Sequence, residues 1–160
     1  TTPLQLASAT SLLASGGDSV TPHLFLKSSI NNKEQTYNYD DNKTSIDIDI
    51  DSLHIVNEAM WRVIYDNDVG TASHLKKIEG IEFAGKTGTA QVYNLDKGKT
   101  GTKSLQDHAL FISFAPFESP EIIVSVIVDN GGSGSAIAAP IARDIINFYF
   151  KNIKTKLAKQ

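Results

Sequence analysis

The chain has 160 residues, with 15 basic and 18 acidic side chains for a net charge of −3, 41% hydrophobic residues and no cysteine. That length fits one ordinary domain able to bury a core of its own. The missing cysteines exclude a disulfide scaffold and a thiolate zinc site, and the acidic balance supplies no basic field to hold nucleic acid.

Taken in chain order, Thr2-Pro3-Leu4-Gln5 predicts a helix start: Thr2 as N-cap, Pro3 in the first turn, Gln5 closing a capping box. Leu6, Ala9 and Leu13 recur at helical spacing until Gly16-Gly17. A natural amino terminus seldom opens inside a cap, so the sequence reads as a piece of a longer chain. Val20 to Leu26 predicts a short strand, and residues 28–45 a polar surface excursion rich in Asn, Lys and Asp. Ile46 to Asp51 alternates Ile and Asp, the pattern of a strand with one wet face. A calcium loop is the other reading of those aspartates, but the glycine turn and the terminal Glu are not at the required offsets.

Asp51 or Ser52 is expected to cap a second helix whose stripe is Leu53, Val56, Met60, Val63 and Ile64. Ile81 to Tyr93 reads as a strand, 94–106 as a Gly/Lys/Thr loop, and Leu110–Ala115 with Ile122–Val128 as a hairpin. A last helix follows Gly131-Gly132-Ser133-Gly134, with Ile137, Ile141, Ile145 and Phe148 on one face. The basic tail from Lys151, ending as segment 152–160, is expected to fray. The longest apolar stretch, Ile122 to Val128, is interrupted by Ser125 and falls far short of the ~20 residues a bilayer requires. The fold class is therefore α+β: an antiparallel sheet flanked by helices.

One segment carries two competing chemistries. Gly80 to Thr87 matches the phosphate-loop pattern G-x-x-x-x-G-K-T, and Ile122–Asp129 imitates an apolar strand ending in a magnesium-binding Asp. A nucleotide hydrolase, however, needs a helix starting at the Lys to aim its N–H groups at phosphates. Gly88, Thr89, Val92 and Tyr93 follow Lys86 instead, a run that favours strand. The other reading takes Lys86-Thr87-Gly88-Thr89 as the K-T-G motif of serine acyl-transferases that recognise penicillin. There a strand is what the chemistry requires. An edge strand offers free backbone groups to an extended peptide, Lys86 a fixed cation, and Thr87 and Thr89 hydroxyls for a carboxylate. Gly88 permits close approach, and a backbone N–H just past it can polarise a scissile carbonyl. Lys99-Thr100-Gly101-Thr102 repeats the motif, but lies between Lys97-Gly98 and Lys103-Ser104 in a polar run that cannot hold a cation in place.

Four blocks in order then resemble the class B penicillin-binding proteins: Thr1–Ala7, Ala84–Val92, Asp107–Pro116, and Asp129–Gly132 through Ala138–Arg143. The last block is most similar to the elongation-type members, with the division type left open. The resemblance implies a penicillin-binding transpeptidase fold, of which residues 1–160 are the C-terminal portion. It implies an enzyme at the periplasmic face of the bacterial inner membrane, anchored by an upstream helix. Its reaction cross-links peptidoglycan stem peptides through a serine acyl-enzyme, and β-lactams bind the same site. Implied partners are the upstream half of the same protein and the cell-elongation machinery. No cofactor is implied.

Among the site residues, the resemblance gives Lys86 the K-T-G lysine role, Thr87 and Thr89 the substrate carboxylate, and the Thr89 N–H half of the oxyanion hole. The family also needs an S-x-x-K nucleophile and then an S-x-N triplet. Ser73-His74-Leu75-Lys76 and Ser29-Ile30-Asn31 match these spacings in reversed order, and Ser73 stands only thirteen residues before Lys86. Both are read as chance, which puts the nucleophile before Thr1. A catalytically inert structural half-domain is the remaining alternative. His23, His54, His74 and His108 show no i, i+4 metal spacing, and His108 beside Asp107 reads as a structural contact.

Overall fold

The computed structural model describes residues 1–31, 33–36, 43–91 and 106–154. Helix α1 spans Pro3–Ala14, and its start forms as the sequence predicts: Thr2 Oγ1 accepts from the Gln5 N–H while Gln5 Oε1 accepts from the Thr2 N–H. The buried position of α1 is Thr10 rather than Ala9, which is exposed. Thr10 is tolerated there because its hydroxyl donates to the Leu6 carbonyl at 2.8 Å, leaving its methyl for the interior.

Strand β1 covers Asp18–Val20 and pairs antiparallel with β4, Lys43–Ser45. The expected strand over Val20–Leu26 does not form beyond Val20, since Pro22 has no N–H for a ladder. Within the excursion, β2 (Lys27–Ile30) and β3 (Lys33–Thr36) make a separate hairpin. The Ile/Asp alternation after Ser45 is not a strand either. Asp49 turns out to be the N-cap of α2, Ile50–Tyr65, its carboxylate accepting from the Ser52 N–H at 2.9 Å. The expected cap at Asp51 or Ser52 is thus two to three residues late, because three aspartates offer the same local signal. The α2 stripe also differs. Val56 is exposed, and Asn57 takes its place, donating to the Leu13 carbonyl at 3.3 Å.

The centre of the molecule is one three-stranded antiparallel sheet, β5-β6-β7, made of Ala84–Ala90, His108–Ala115 and Ile122–Val128. β5 is shorter than the Ile81–Tyr93 run. Ile81 instead closes a small bridge with Ile78. Alternation along β6 divides the core. Phe114, with Ala84, Met60 of α2 and Ala14 of α1, fills one face. Phe111, with Ile64 of α2, Phe83, Val124 and Val126, fills the other beneath the C-terminal helix. α2 therefore runs beside β5 and serves both faces, which fixes the one strand that carries the K-T-G motif.

The C-terminal helix departs most from expectation. A π-helical turn, Gly134–Ala138, leads into α3, Ala139–Phe148. The buried face is Ala138, Ala139, Ala142 and Ile146, whereas the expected stripe of Ile137, Ile141, Ile145 and Phe148 is 41–58% exposed. Small side chains let the helix backbone approach the sheet closely, which hydrophobicity alone does not reveal. The segment from Lys151, expected to fray, is helical through Lys154, whose ammonium pairs with Glu121 and lies over the Phe150 ring. No helix among the described residues is long and apolar enough to cross a membrane.

Candidate active site

Among the described residues β5 is an edge strand: it pairs with β6 on one side, with Lys86 opposite Ile112, Thr87 opposite Phe111 and Thr89 opposite Ala109. Its root, Phe83 to Gly85, is buried, and its side chains emerge towards solvent from Lys86 onward. Phosphate-loop geometry is excluded, since Lys86 stands in mid-strand with no helix N-terminus there to bind phosphate. Successive residues point to opposite faces, so Lys86 and Thr87 meet one ligand only along the edge.

Two neighbours hold this strand from the side. The π-helical turn packs its first residue onto it: a Cβ on Gly134 would lie 2.4 Å from the Gly88 carbonyl oxygen and 2.5 Å from that of Leu110. Only a residue without a side chain lets that turn lie against the motif. On the other flank, Thr71, in the turn after α2, brings its hydroxyl to 3.0 Å from the Thr87 hydroxyl.

Lys86 opens onto a cleft of about 270 Å³ whose walls include Ala59, Val63 and Val69, with Arg62 and Thr71 at its polar side. The two cations differ in availability. Arg62 is bound through Nε and Nη2 to Asp66 at 3.0 and 2.7 Å. That contact raises the Arg62 pKa. It also holds the Asp66 carboxyl below its ordinary value, helped by the N–H groups of Asp68 and Val69. Lys86 donates only to the Thr87 carbonyl, at 2.9 Å, and has no carboxylate partner among the described residues. An anionic group entering the cleft meets Lys86 as its uncompensated charge.

The other sequence candidates fall away from this cleft. Ser73 lies in a turn after α2 and Lys76 is exposed, so the literal S-x-x-K has no helix to hold it. It is Lys77 that turns back to donate to the Ile64 carbonyl and the Ser73 carbonyl, and burial pushes its pKa down. Ser29 and Asn31 belong to the β2–β3 hairpin, Ser29 opposite Glu34 and Asn31 at the turn. His108 does make a carboxylate contact, but with Asp129 at 3.5 Å. Its Nδ1 accepts the Asn130 N–H at 3.0 Å, so it ties the end of β6 to the turn after β7. The second Lys-Thr-Gly-Thr copy, 99–102, lies outside the described residues. Sequence reading missed Arg62, Thr71 and Gly134. Thr71 and Gly134 touch β5 from other parts of the fold and Arg62 shares the cleft with Lys86, and only Gly134 left a local trace, in the glycine-rich turn.

An antiparallel sheet packed between helices, with a lysine and hydroxyls on its edge strand, is the arrangement that the penicillin-recognising acyl-transfer reading of K-T-G requires. The chain belongs to the penicillin-binding protein transpeptidase domain family, whose model matches residues 1–147. It is 35% identical to the peptidoglycan D,D-transpeptidase MrdA of Haemophilus influenzae, over 92% of this chain and 23% of that protein. Among solved structures it resembles penicillin-binding protein 2 of Pseudomonas aeruginosa in complex with WCK 5153. The TM-score is 0.72 at 34% identity, covering 93% of this chain and 30% of that one. It also resembles penicillin-binding protein A of Mycobacterium tuberculosis as its imipenem acyl-enzyme. There the TM-score is 0.67 at 26% identity, over 91% and 30% of the two chains. The similarity is thus to the MrdA, or penicillin-binding protein 2, type, and the chain spans about a quarter of the length of the curated relatives it matches.

Proposed function

We propose that this chain is the K-T-G-bearing C-terminal portion, residues 1–160, of a longer peptidoglycan D,D-transpeptidase of the elongation type. The single observation that carries the reading is Lys86: an uncompensated cation on an edge strand, beside Thr87 and a cleft, in a chain of this family. In that enzyme a serine from the preceding part of the protein attacks the penultimate D-Ala carbonyl of a stem peptide. The new Ser–O–C bond replaces the C–N bond to the terminal D-Ala, whose amine leaves with a proton, and an acceptor amine then releases the acyl group.

The roles of this chain's residues follow from charge and placement. Lys86 attracts the substrate carboxylate and assists proton movement at the S-x-N serine. Thr87 and Thr89 donate hydroxyl hydrogen bonds to that carboxylate. The Thr89 N–H, just past Gly88, contributes half of the oxyanion hole. β-Lactams occupy the same place and leave a stable acyl-enzyme. The proposed location is the periplasmic face of the inner membrane, with the anchor in the preceding part of the protein and the cell-elongation machinery as partner. Among the described residues, Lys77 reaches only the carbonyl of Ser73, and no lysine ammonium hydrogen-bonds to the hydroxyl of Ser73 or Ser29, so neither is read as the activated serine.

The decisive experiment compares penicillin acylation of the full-length protein and its Lys86→Ala variant. Loss of one preorganised charge is expected to slow acylation by about a hundredfold or more with an unchanged melting curve. Acylation within about threefold of the native rate, the scale of a surface substitution, overturns the assignment of the site. Intact-mass measurement of the 160-residue chain with the same drug should show no adduct.

A further inference from the structure

The C-terminal end of α2 is built as a rigid platform. Asp66 Oδ1 accepts the N–H groups of Asp68 and Val69 at 3.0 and 3.2 Å, while Oδ2 binds Arg62. The Gly70 N–H bonds to the Asp66 carbonyl and the Ala72 N–H to the Val63 carbonyl, both at 2.9 Å. Gly70 lies so close over the helix end that a Cβ there would come within 2.4 Å of the Asp66 carbonyl oxygen and 2.6 Å of that of Arg62. Ala72 is fully buried. Thr71 thus sits between two pinned residues, and its side chain reaches across to Thr87 at 3.0 Å.

We propose that Thr71 is a positioning residue for Thr87, setting the direction in which the Thr87 hydroxyl donates. Two hydroxyls in contact share one proton and leave one proton free. With an anion held along the exposed edge of β5, where Lys86 and Thr87 can both reach it, the lower-energy arrangement has Thr71 donating to Thr87 Oγ1 and Thr87 donating to the anion. Each bond polarises the next, so the pair acts as a short relay aimed at a carboxylate. The inference rests on the reading of β5 as the carboxylate-binding strand, and adds to it a residue sixteen positions earlier in sequence.

The test uses the full-length protein with Thr71→Val and Thr71→Ser, and two probes: penicillin G and its methyl ester, which lacks the anionic carboxylate. Pre-steady-state acylation separates the dissociation constant from the acylation rate constant. Thr71→Val is expected to weaken penicillin G binding by about tenfold, because Thr87 keeps its own bond to the anion but loses the donor that orients and polarises it. Binding of the ester should stay within about twofold, and the Ser variant should restore native behaviour with both probes. Native affinity of Thr71→Val for penicillin G overturns the proposal, and so does an equal loss on both probes, which marks a packing role. Lys86→Ala, run in parallel, distinguishes failures: if it too is silent, the site assignment is at fault rather than Thr71.

Discussion

Two hairpins in this chain share antiparallel geometry and nothing else. In β2–β3 only Ser28 is partly covered, and the Lys27–Glu34 ion pair, 3.6 Å long, bridges two exposed side chains. In β6–β7, Phe111, Phe114 and Ala115 are fully buried, with helices on both faces. Both have complete backbone ladders, so hydrogen bonding does not distinguish them. Burial does, because net hydrogen bonds contribute little while apolar packing removes alternatives. The candidate site borrows its rigidity from the second hairpin: β5 lies on β6, and Phe111 stands opposite Thr87.

The sharpest way to break the contrast is Phe111→Ala. It removes a fully buried ring from the sheet that carries β5 and should cost about 3–5 kcal/mol in denaturant unfolding. A loss below about 1 kcal/mol would mean that β5 is not held by this core. Next, Gly134→Ala forces a methyl against the Gly88 and Leu110 carbonyls and should cost about 1–3 kcal/mol. In the full-length protein it should also slow acylation, whereas Phe111→Ala acts on stability first.

A pH series gives a smaller effect with a definite sign. The Asp66 carboxyl is held low, first by Arg62 and then by two N–H groups, so its folded pKa lies below the unfolded one. It therefore stabilises the fold at neutral pH, and that contribution fades as pH falls through the folded pKa. Melting temperatures of the native chain and Asp66→Asn should differ at pH 7 and converge as pH falls below the ordinary carboxylate range. A gap that widens on acidification would contradict the platform drawn here. Smallest of all, Lys27→Ala should change stability by less than about 0.5 kcal/mol, since an exposed pair is screened and loses side-chain entropy. A larger loss would show that the excursion is coupled to the core.

Local signals in the sequence determined a good deal. The capping box of α1, the limits of β7, the α+β class and the placement of Lys86 on a strand all follow from caps, alternation and β-branched runs. Such features depend on neighbours a few residues apart, and those neighbours are written side by side. The tertiary structure decided the rest. It chose Asp49 among three aspartates as the α2 cap, because only there does the carboxylate meet the Ser52 N–H. It turned α3 so that Ala139, Ala142 and Ile146 rather than Ile141, Ile145 and Phe148 face the sheet, since close backbone approach outweighs side-chain size at that contact. Around Lys86 it assembled Arg62, Thr71 and Gly134 from segments up to 72 residues apart. Residues at such separations have no shared period to reveal them; packing alone makes them neighbours.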